Sequence, residues 1–302
     1  MNLFIFPSEP YLENVTCYDS MQAFFVWKQV RNNLNFEYIV LDYPIKRSKI
    51  RIPKEEVERQ LATKNIKLEN IDNIIMTKVN GLKLLEKGLA REMLNKIKGK
   101  MYKFEDTANR IYENDRLITV GHFGKLKNPR YLNAGFAIGD VYYKTDTDDD
   151  ILRIHVDHNY PKVLEFYDII KEKLHKLSKK HTIEVWYHDR PCNIDDIGHF
   201  RFNKIPIQSL AHVYSMMDFA FVTHRESLGH YAFEMAKTGV PVILPDNVCL
   251  LPEIKKNLIT THISNMEQLF IKTNYDRVVS QNKQKMLEYT FYNFLKNIFN
   301  TF

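Results

Sequence analysis

The segment from Phe219 to Pro245, FAFVTHRESLGHYAFEMAKTGVPVILP, leaves this chain few folds to choose from. Phe219 to Val222 is an unbroken apolar run with the length of a buried strand, and a polar loop containing a glycine follows it. Tyr231 to Lys237 predicts a short helix, Gly239 stops it, and Val240 to Leu244 starts a second buried strand. Strand, loop, helix and strand make a βαβ unit, the repeat of a parallel sheet covered by helices. Ligands of such sheets lie beyond the carboxyl ends of the strands, which here means Thr223 to His230. That loop contains Glu226-Ser227-Leu228-Gly229, and Glu234 stands eight residues after Glu226.

The rest of the chain repeats the alternation. Leu3 to Phe6, Tyr38 to Leu41, Ile71 to Met76 and Leu117 to Val120 read as strands. Helical spacing runs from Ser20 to Arg31, with Met21, Phe24 and Phe25 on one face, and from Leu82 to Ile97. In the second half, strands at Ile151 to Val156, Ile183 to Tyr187 and within Phe200 to Ile207 alternate with helices at Val163 to Leu177 and Ser209 to Met217. Asn265 to Ile271 and Tyr275 to Phe302 predict helices, the last carrying Phe291, Phe294, Ile298 and Phe299 on an apolar face. The expected fold class is α/β with two Rossmann-like, doubly wound domains.

The register around the central loop, E-S-x-G-x-x-x-x-E-x-A-x-x-G-x-P-V-I from Glu226 to Ile243, resembles the donor-binding segment of GT-B glycosyltransferases. It is most similar to the retaining branch, family 4-like, marked by two glutamates eight apart. The resemblance implies residues 1–143 as an acceptor domain, 144–150 as a linker and 151–274 as a nucleotide-sugar domain. It also implies that 275–302 form a helix packing back across both. In such enzymes the first glutamate sits by the transferred sugar and the second holds the ribose hydroxyls, which by position are Glu226 and Glu234. A loop entering a helix also offers free backbone N–H groups to phosphates, around Ser227, Leu228 and Gly229, with Arg225 beside them. Gly229 lets the backbone approach the ligand closely.

Other positions are read through the same resemblance. The loop after the first strand, Pro7 to Tyr11, lacks the glycines usual there. Gly121-His122-Phe123-Gly124 ends a strand, so His122 faces either the sugar or acceptor, or serves as a turn histidine. After Val156, Lys162 stands for the family's phosphate-binding lysine; the arginine is missing, with His158 nearby. Arg190 follows another strand end and either grips phosphate or pairs with Asp189. Asn133 to Tyr143 resembles the segment leaving the first domain, and Lys144 to Asp150 is the short polar linker about which closure would exclude water.

Composition narrows the alternatives. At 302 residues, with 44% hydrophobic and 26% charged, the chain suits two globular domains. Three scattered cysteines, Cys17, Cys192 and Cys249, fit neither a disulfide framework nor a zinc site. The opening MNLFIFPSEP has no basic signal region, so the expected location is cytoplasmic. A net charge of +6 suits an anionic partner such as a nucleotide diphosphate. The basic runs at Ile45 to Gln60, Lys96 to Lys103 and Lys171 to Lys180 read as solvated faces, since no aromatic platform interleaves with the charges. Asp146-Thr147-Asp148 imitates a metal-binding D-x-D, but it precedes a strand instead of closing one. No metal or cofactor is therefore expected, and the donor substrate would be a UDP- or GDP-sugar. Two alternatives stay open: a viral-type DNA glycosyltransferase acting on a modified base, and a GT-B-like protein that binds a nucleotide or sugar without catalysis.

Overall fold

The computed structural model describes residues 1–6, 18–33, 36–41, 54–77, 87–104, 116–121, 131–133, 138–139, 141–147, 149–157, 167–188, 200–202, 205–223, 230–245 and 258–300. Its contacts divide the chain into two compact units, Met1–Phe136 with Phe291–Phe302, and Ala137–Thr290.

Unit 1 alternates β1 (Asn2–Phe6), α1 (Tyr18–Arg31), β2 (Phe36–Val40), α2 (Lys54–Thr63), β3 (Asn73–Met76), α3 (Lys87–Lys96), β4 (Met101–Phe104), β5 (Leu117–Gly121) and β6 (Tyr131–Asn133). The strands form one sheet in the order β2-β1-β3-β4-β5-β6, every neighbouring pair parallel. Because side chains alternate along a strand, β1 feeds two cores. Leu3 and Ile5 join Val57 and Leu61 of α2 and Met93, Leu94 and Ile97 of α3. Phe4 and Phe6 point to the other face, where Phe4 meets Phe299 at 5.8 Å between ring centroids.

β4 lies where the sequence suggests only a basic run. Met101, Tyr102 and Phe104 are buried, so the short strand puts apolar side chains on both faces, Met101 on one and Tyr102 with Phe104 on the other. Gly99 makes the turn before it possible: a Cβ there would sit 2.4 Å from Asn73 Oδ1 and 2.5 Å from the Asp72 carbonyl.

Unit 2 contains β7 (Ile151–Val156), α4 (Tyr167–Ser178), β8 (Thr182–His188), β9 (Phe200–Phe202), α5 (Ile207–Ser215), β10 (Phe219–Phe221), α6 (His230–Thr238), β11 (Val242–Leu244) and β12 (Thr260–His262). A 3-10 segment, Ile263–Phe270, and α7 (Lys272–Met286) follow. The sheet order is β12-β11-β10-β7-β8-β9, again all parallel. In chain order this is the doubly wound arrangement in which strands grow outward in both directions from the β7–β10 pair.

The predicted βαβ unit is present as β10, α6 and β11. Gly239 ends α6 with φ +94°: its N–H donates to the Ala236 carbonyl (3.1 Å) and the Val240 N–H to the Met235 carbonyl (2.9 Å). That pair of bonds is a Schellman close, which needs a residue at ease in left-handed backbone.

Two other expectations change. The tail read as one helix from 275 to 302 is two: α7 packs on α6 in unit 2, and α8 (Phe291–Phe299) lies in unit 1. There Phe291 stacks on Phe25 (4.2 Å, 20°) and Phe294 meets Phe104 (6.3 Å). The polar segment read as a linker from 144 to 150 is partly bound into unit 2. Lys144 Nζ donates to the Met217 carbonyl (2.5 Å), and the Thr145 N–H to the Ser215 carbonyl (3.0 Å).

The other basic runs resolve into amphipathic helices. Val57 and Leu61 turn the described part of the first inward, and Ile170, Leu174 and Leu177 do so on α4. Among the described residues no helix is long and apolar enough to cross a membrane.

Candidate functional site

The switch point of the second sheet lies between β7 and β10, where adjacent strands send the chain in opposite directions. Their carboxyl ends are tied together. The Asp157 N–H donates to the Phe221 carbonyl at 2.9 Å, and the Thr223 hydroxyl donates to the Asp157 carbonyl. Asp157 and Thr223 are both buried.

α6 begins beside this point and is buried on nearly every side, including Tyr231, Ala232, Phe233, Met235 and Ala236. Glu234 sits in the middle of it and is only 8% exposed. A carboxyl in such a place is costly when ionised. Burial pushes Glu234 up from 4.5 to about 7; the Tyr142 hydroxyl pulls the other way by favouring the carboxylate, and the charge of Asp157 adds to the rise. Among the described residues, no cation acts on it strongly enough to offset burial. Tyr142 is within electrostatic reach of Glu234 but short of a formed hydrogen bond, and its buried hydroxyl has no hydrogen-bond partner among the described residues.

The surroundings are aromatic with polar tips. His155, fully buried on β7, shares a 2.7 Å hydrogen bond between Nδ1 and the Tyr231 hydroxyl. Tyr231 stands one turn before Glu234. Tyr214 of α5 packs against three of these rings: edge-on to His155 (5.2 Å) and to Tyr231 (5.9 Å), and stacked on Tyr142 (6.2 Å). Burial, helped by the negative charge of Asp157, lifts the Tyr231 phenol well above its ordinary value, so it stays a neutral donor. His155 is thus engaged with Tyr231, not arrayed with other metal ligands. Among the described residues no group of three or more His, Cys, Asp or Glu could hold a metal ion.

Of the residues singled out in the sequence, Glu234 is the one whose surroundings are described. Glu226, Ser227, Leu228, Gly229 and Arg225 lie outside the described residues, as do His158, Lys162, Arg190 and His122. Of the D-x-D imitation, Asp146 is exposed and Asp148 lies outside the described residues.

The sequence reading missed Tyr142, Asp157 and the Tyr231–Tyr214 pair as neighbours of Glu234. Tyr231 and Tyr214 sit at ordinary apolar helix positions. Tyr142 had one available signal, an aromatic pair just before a polar segment.

No protein-family model matches the chain, and no curated protein sequence matches it. Solved structures do. A glycosyltransferase from Rickettsia africae aligns with TM-score 0.62 and 10% identity over 99% of this chain and 97% of its own. Sucrose-phosphate synthase from Thermosynechococcus elongatus aligns with TM-score 0.64 and 9% identity over 99% of this chain and 98% of its own. An alpha-glucosyltransferase solved with UDP and a 13-mer DNA containing an HMU base aligns with TM-score 0.56 and 14% identity over 100% and 99%. At such identities the likeness concerns the fold, an α/β chain of two doubly wound parallel-sheet units, the class of GT-B glycosyltransferases.

Proposed function

We propose that this protein is a glycosyltransferase that takes a sugar from a nucleotide-sugar, held chiefly by unit 2, and passes it to an acceptor with retention of configuration. The observation that carries the reading is Glu234, an acid buried mid-helix beside the switch point with no cation among the described residues to balance it. Such a group lowers stability, and a ligand offering two hydroxyl donors, as a ribose does, would relieve the cost.

In this reading Glu234 fixes the ribose and Glu226 supports the sugar as positive charge develops on its ring. Backbone N–H groups around Ser227, Leu228 and Gly229 donate to the departing diphosphate as its negative charge grows. Lys162, with Arg190, Arg225 and His158, adds cationic or hydrogen-bonding support, and His122 faces the sugar or the acceptor. The chemistry needs no metal, because charge on the leaving group is met by these donors. The fold neighbours and the register from Glu226 to Ile243 support the class of reaction; the charge of +6 supports an anionic donor.

A second reading concerns the acceptor. The neighbour solved with UDP and DNA, together with the basic charge, favours testing a modified base in DNA. The third, binding without catalysis, rests on the missing glycine loop and arginine.

The test is a melting-temperature screen of UDP- and GDP-sugars followed by transfer of labelled donor. A ligand bound only by the folded protein at about a hundred times its Kd stabilises by about 2.7 kcal/mol. Glu226→Ala is expected to abolish transfer with the melting temperature nearly unchanged. Binding without transfer or hydrolysis by the unsubstituted protein would leave the non-catalytic reading standing. DNA binding that weakens steeply with salt would favour the nucleic-acid acceptor.

A further inference from the structure

The stretch just before β7 is a strap, held at both ends. At its start the Ile138 N–H donates to the Tyr289 carbonyl (2.8 Å), and Lys237, one turn beyond Glu234 on α6, donates to the Ile138 carbonyl (3.2 Å). At its end, besides the backbone bonds of Lys144 and Thr145 to the end of α5, Thr145 Oγ1 bonds Ser215 Oγ at 2.8 Å. The Tyr143 hydroxyl bonds His212 Nδ1 at 3.2 Å. Between these clamps Tyr142 is driven inward, 6% exposed, its ring stacked on Tyr214. Nothing in its packing calls for a hydroxyl, since a phenylalanine would fill the same space.

We infer that Tyr142 is a positioning residue of the nucleotide site, its buried hydroxyl, unpartnered among the described residues, held in the aromatic cluster around the Glu234 helix by a strap that unit 2 clamps on either side. This rests on the reading of Glu234 as the ribose-binding group. The hydroxyl is the donor on hand to favour the carboxylate against burial and to orient it as ribose hydroxyls arrive. Among the described residues, the groups that face Glu234 are few. Tyr142 comes from the strap, Asp157 from the end of β7 and Tyr231 from α6 itself. Tyr214 on α5 and His155 on β7 act through Tyr231. Lys237 is turned to the Ile138 carbonyl, and Lys283 of α7 lies against Gly239 at the helix end. Asp157 opposes ionisation of Glu234; Tyr142 favours it.

The experiment uses the full chain carrying carboxyl-13C glutamate, titrated by NMR from acid to alkaline pH without ligand, with Glu234→Gln assigning the signal. Tyr142→Phe keeps the ring and its stacking, and should move the Glu234 midpoint upward. Difluorotyrosine at 142, a stronger donor of the same shape, should move it downward, and serves if the phenylalanine variant fails to fold. UDP affinity is then measured across the same range. In the unsubstituted protein it should rise through the Glu234 midpoint. In Tyr142→Phe the curve should shift upward with that midpoint, weakening binding below it by about tenfold for each pH step of shift and converging at high pH. An unmoved midpoint overturns the inference, as does a weakening equal at every pH, which marks a merely structural tyrosine. A midpoint that moves in a protein binding neither UDP nor GDP overturns the nucleotide reading itself, and with it the role given to Tyr142.

Discussion

The two sheets share an architecture and bury different chemistry. Among the described residues, the polar groups sealed in unit 1 are Asn2, Thr77 and the indole N–H of Trp27, all neutral. Unit 2 seals two carboxyls, Asp157 and Glu234, and the imidazole of His155. All three lie on β7, at its carboxyl end or on the helix after β10, which is one side of one switch point. A doubly wound sheet does not need them: unit 1 closes its faces with Leu3, Ile5, Phe4 and Phe6 and their neighbours. The contrast teaches that unit 1 uses its interior for cohesion, whereas unit 2 keeps there a carboxyl, Glu234, that burial penalises when ionised. That cost is what the proposed donor site rests on.

The comparison breaks first in unit 1 if its aromatic face is not what holds it. Phe294 is 1% exposed between Phe104 and Phe291. Phe294→Ala is expected to cost unit 1 about 3–5 kcal/mol, the sum of lost transfer energy and a cavity. The chain has two tryptophans, one per unit: Trp27 on α1 and Trp186 on β8. In a Trp186→Phe background, denaturant melts followed by Trp27 fluorescence report unit 1 alone. An unchanged midpoint would show that α8 is dispensable there.

The next effect has the opposite sign. A carboxyl raised in the folded state binds its proton more tightly than in the unfolded chain. Its stabilising contribution is therefore complete below 4.5 and lost as pH rises through about 7. Glu234→Gln removes that titration, so the variant should gain on the unsubstituted protein between these values. Above pH 7 the gain should level at about 3 kcal/mol, the worth of the shift. It should lose nucleotide affinity at the same time. Parallel stability curves for the two proteins across that range would show that Glu234 is solvated, and the contrast between units would go with it.

How much of this was legible in the sequence follows from how each signal is encoded. β10, α6 and β11 were readable because a strand buried on both faces is apolar at every position, and because Gly239 marks a helix end that needs positive φ. β4 was not, since Lys103 and the preceding lysines break up an apolar run only four residues long. The break between α7 and α8 was missed because Leu287 to Thr290 contains neither glycine nor proline. Glu234 stood out by its spacing from Glu226, a one-dimensional signal. Tyr142 and Asp157 reach it only through the folded sheet and its strap, from 92 and 77 positions away in the chain. No periodicity records that.

The smallest expected effect sharpens the comparison from the surface. Lys54 of α2 donates to Glu92 of α3 at 2.8 Å, with about two-fifths of each side chain exposed. The bond raises the ammonium and lowers the carboxyl, so Glu92 moves in the direction opposite to Glu234. Its contribution, by the same linkage, is present above the unfolded carboxyl value and lost as pH falls through the lower folded one. Water and salt screen the pair, however, and two long side chains must be ordered to form it. Lys54→Met is therefore expected to leave the unfolding midpoint of unit 1 within the scatter of replicate melts, at low salt and high alike. A loss approaching that of Phe294→Ala would mean that unit 1, too, depends on its charges. The difference between the two sheets would then be one of degree, and Glu234 would lose its claim to mark the site.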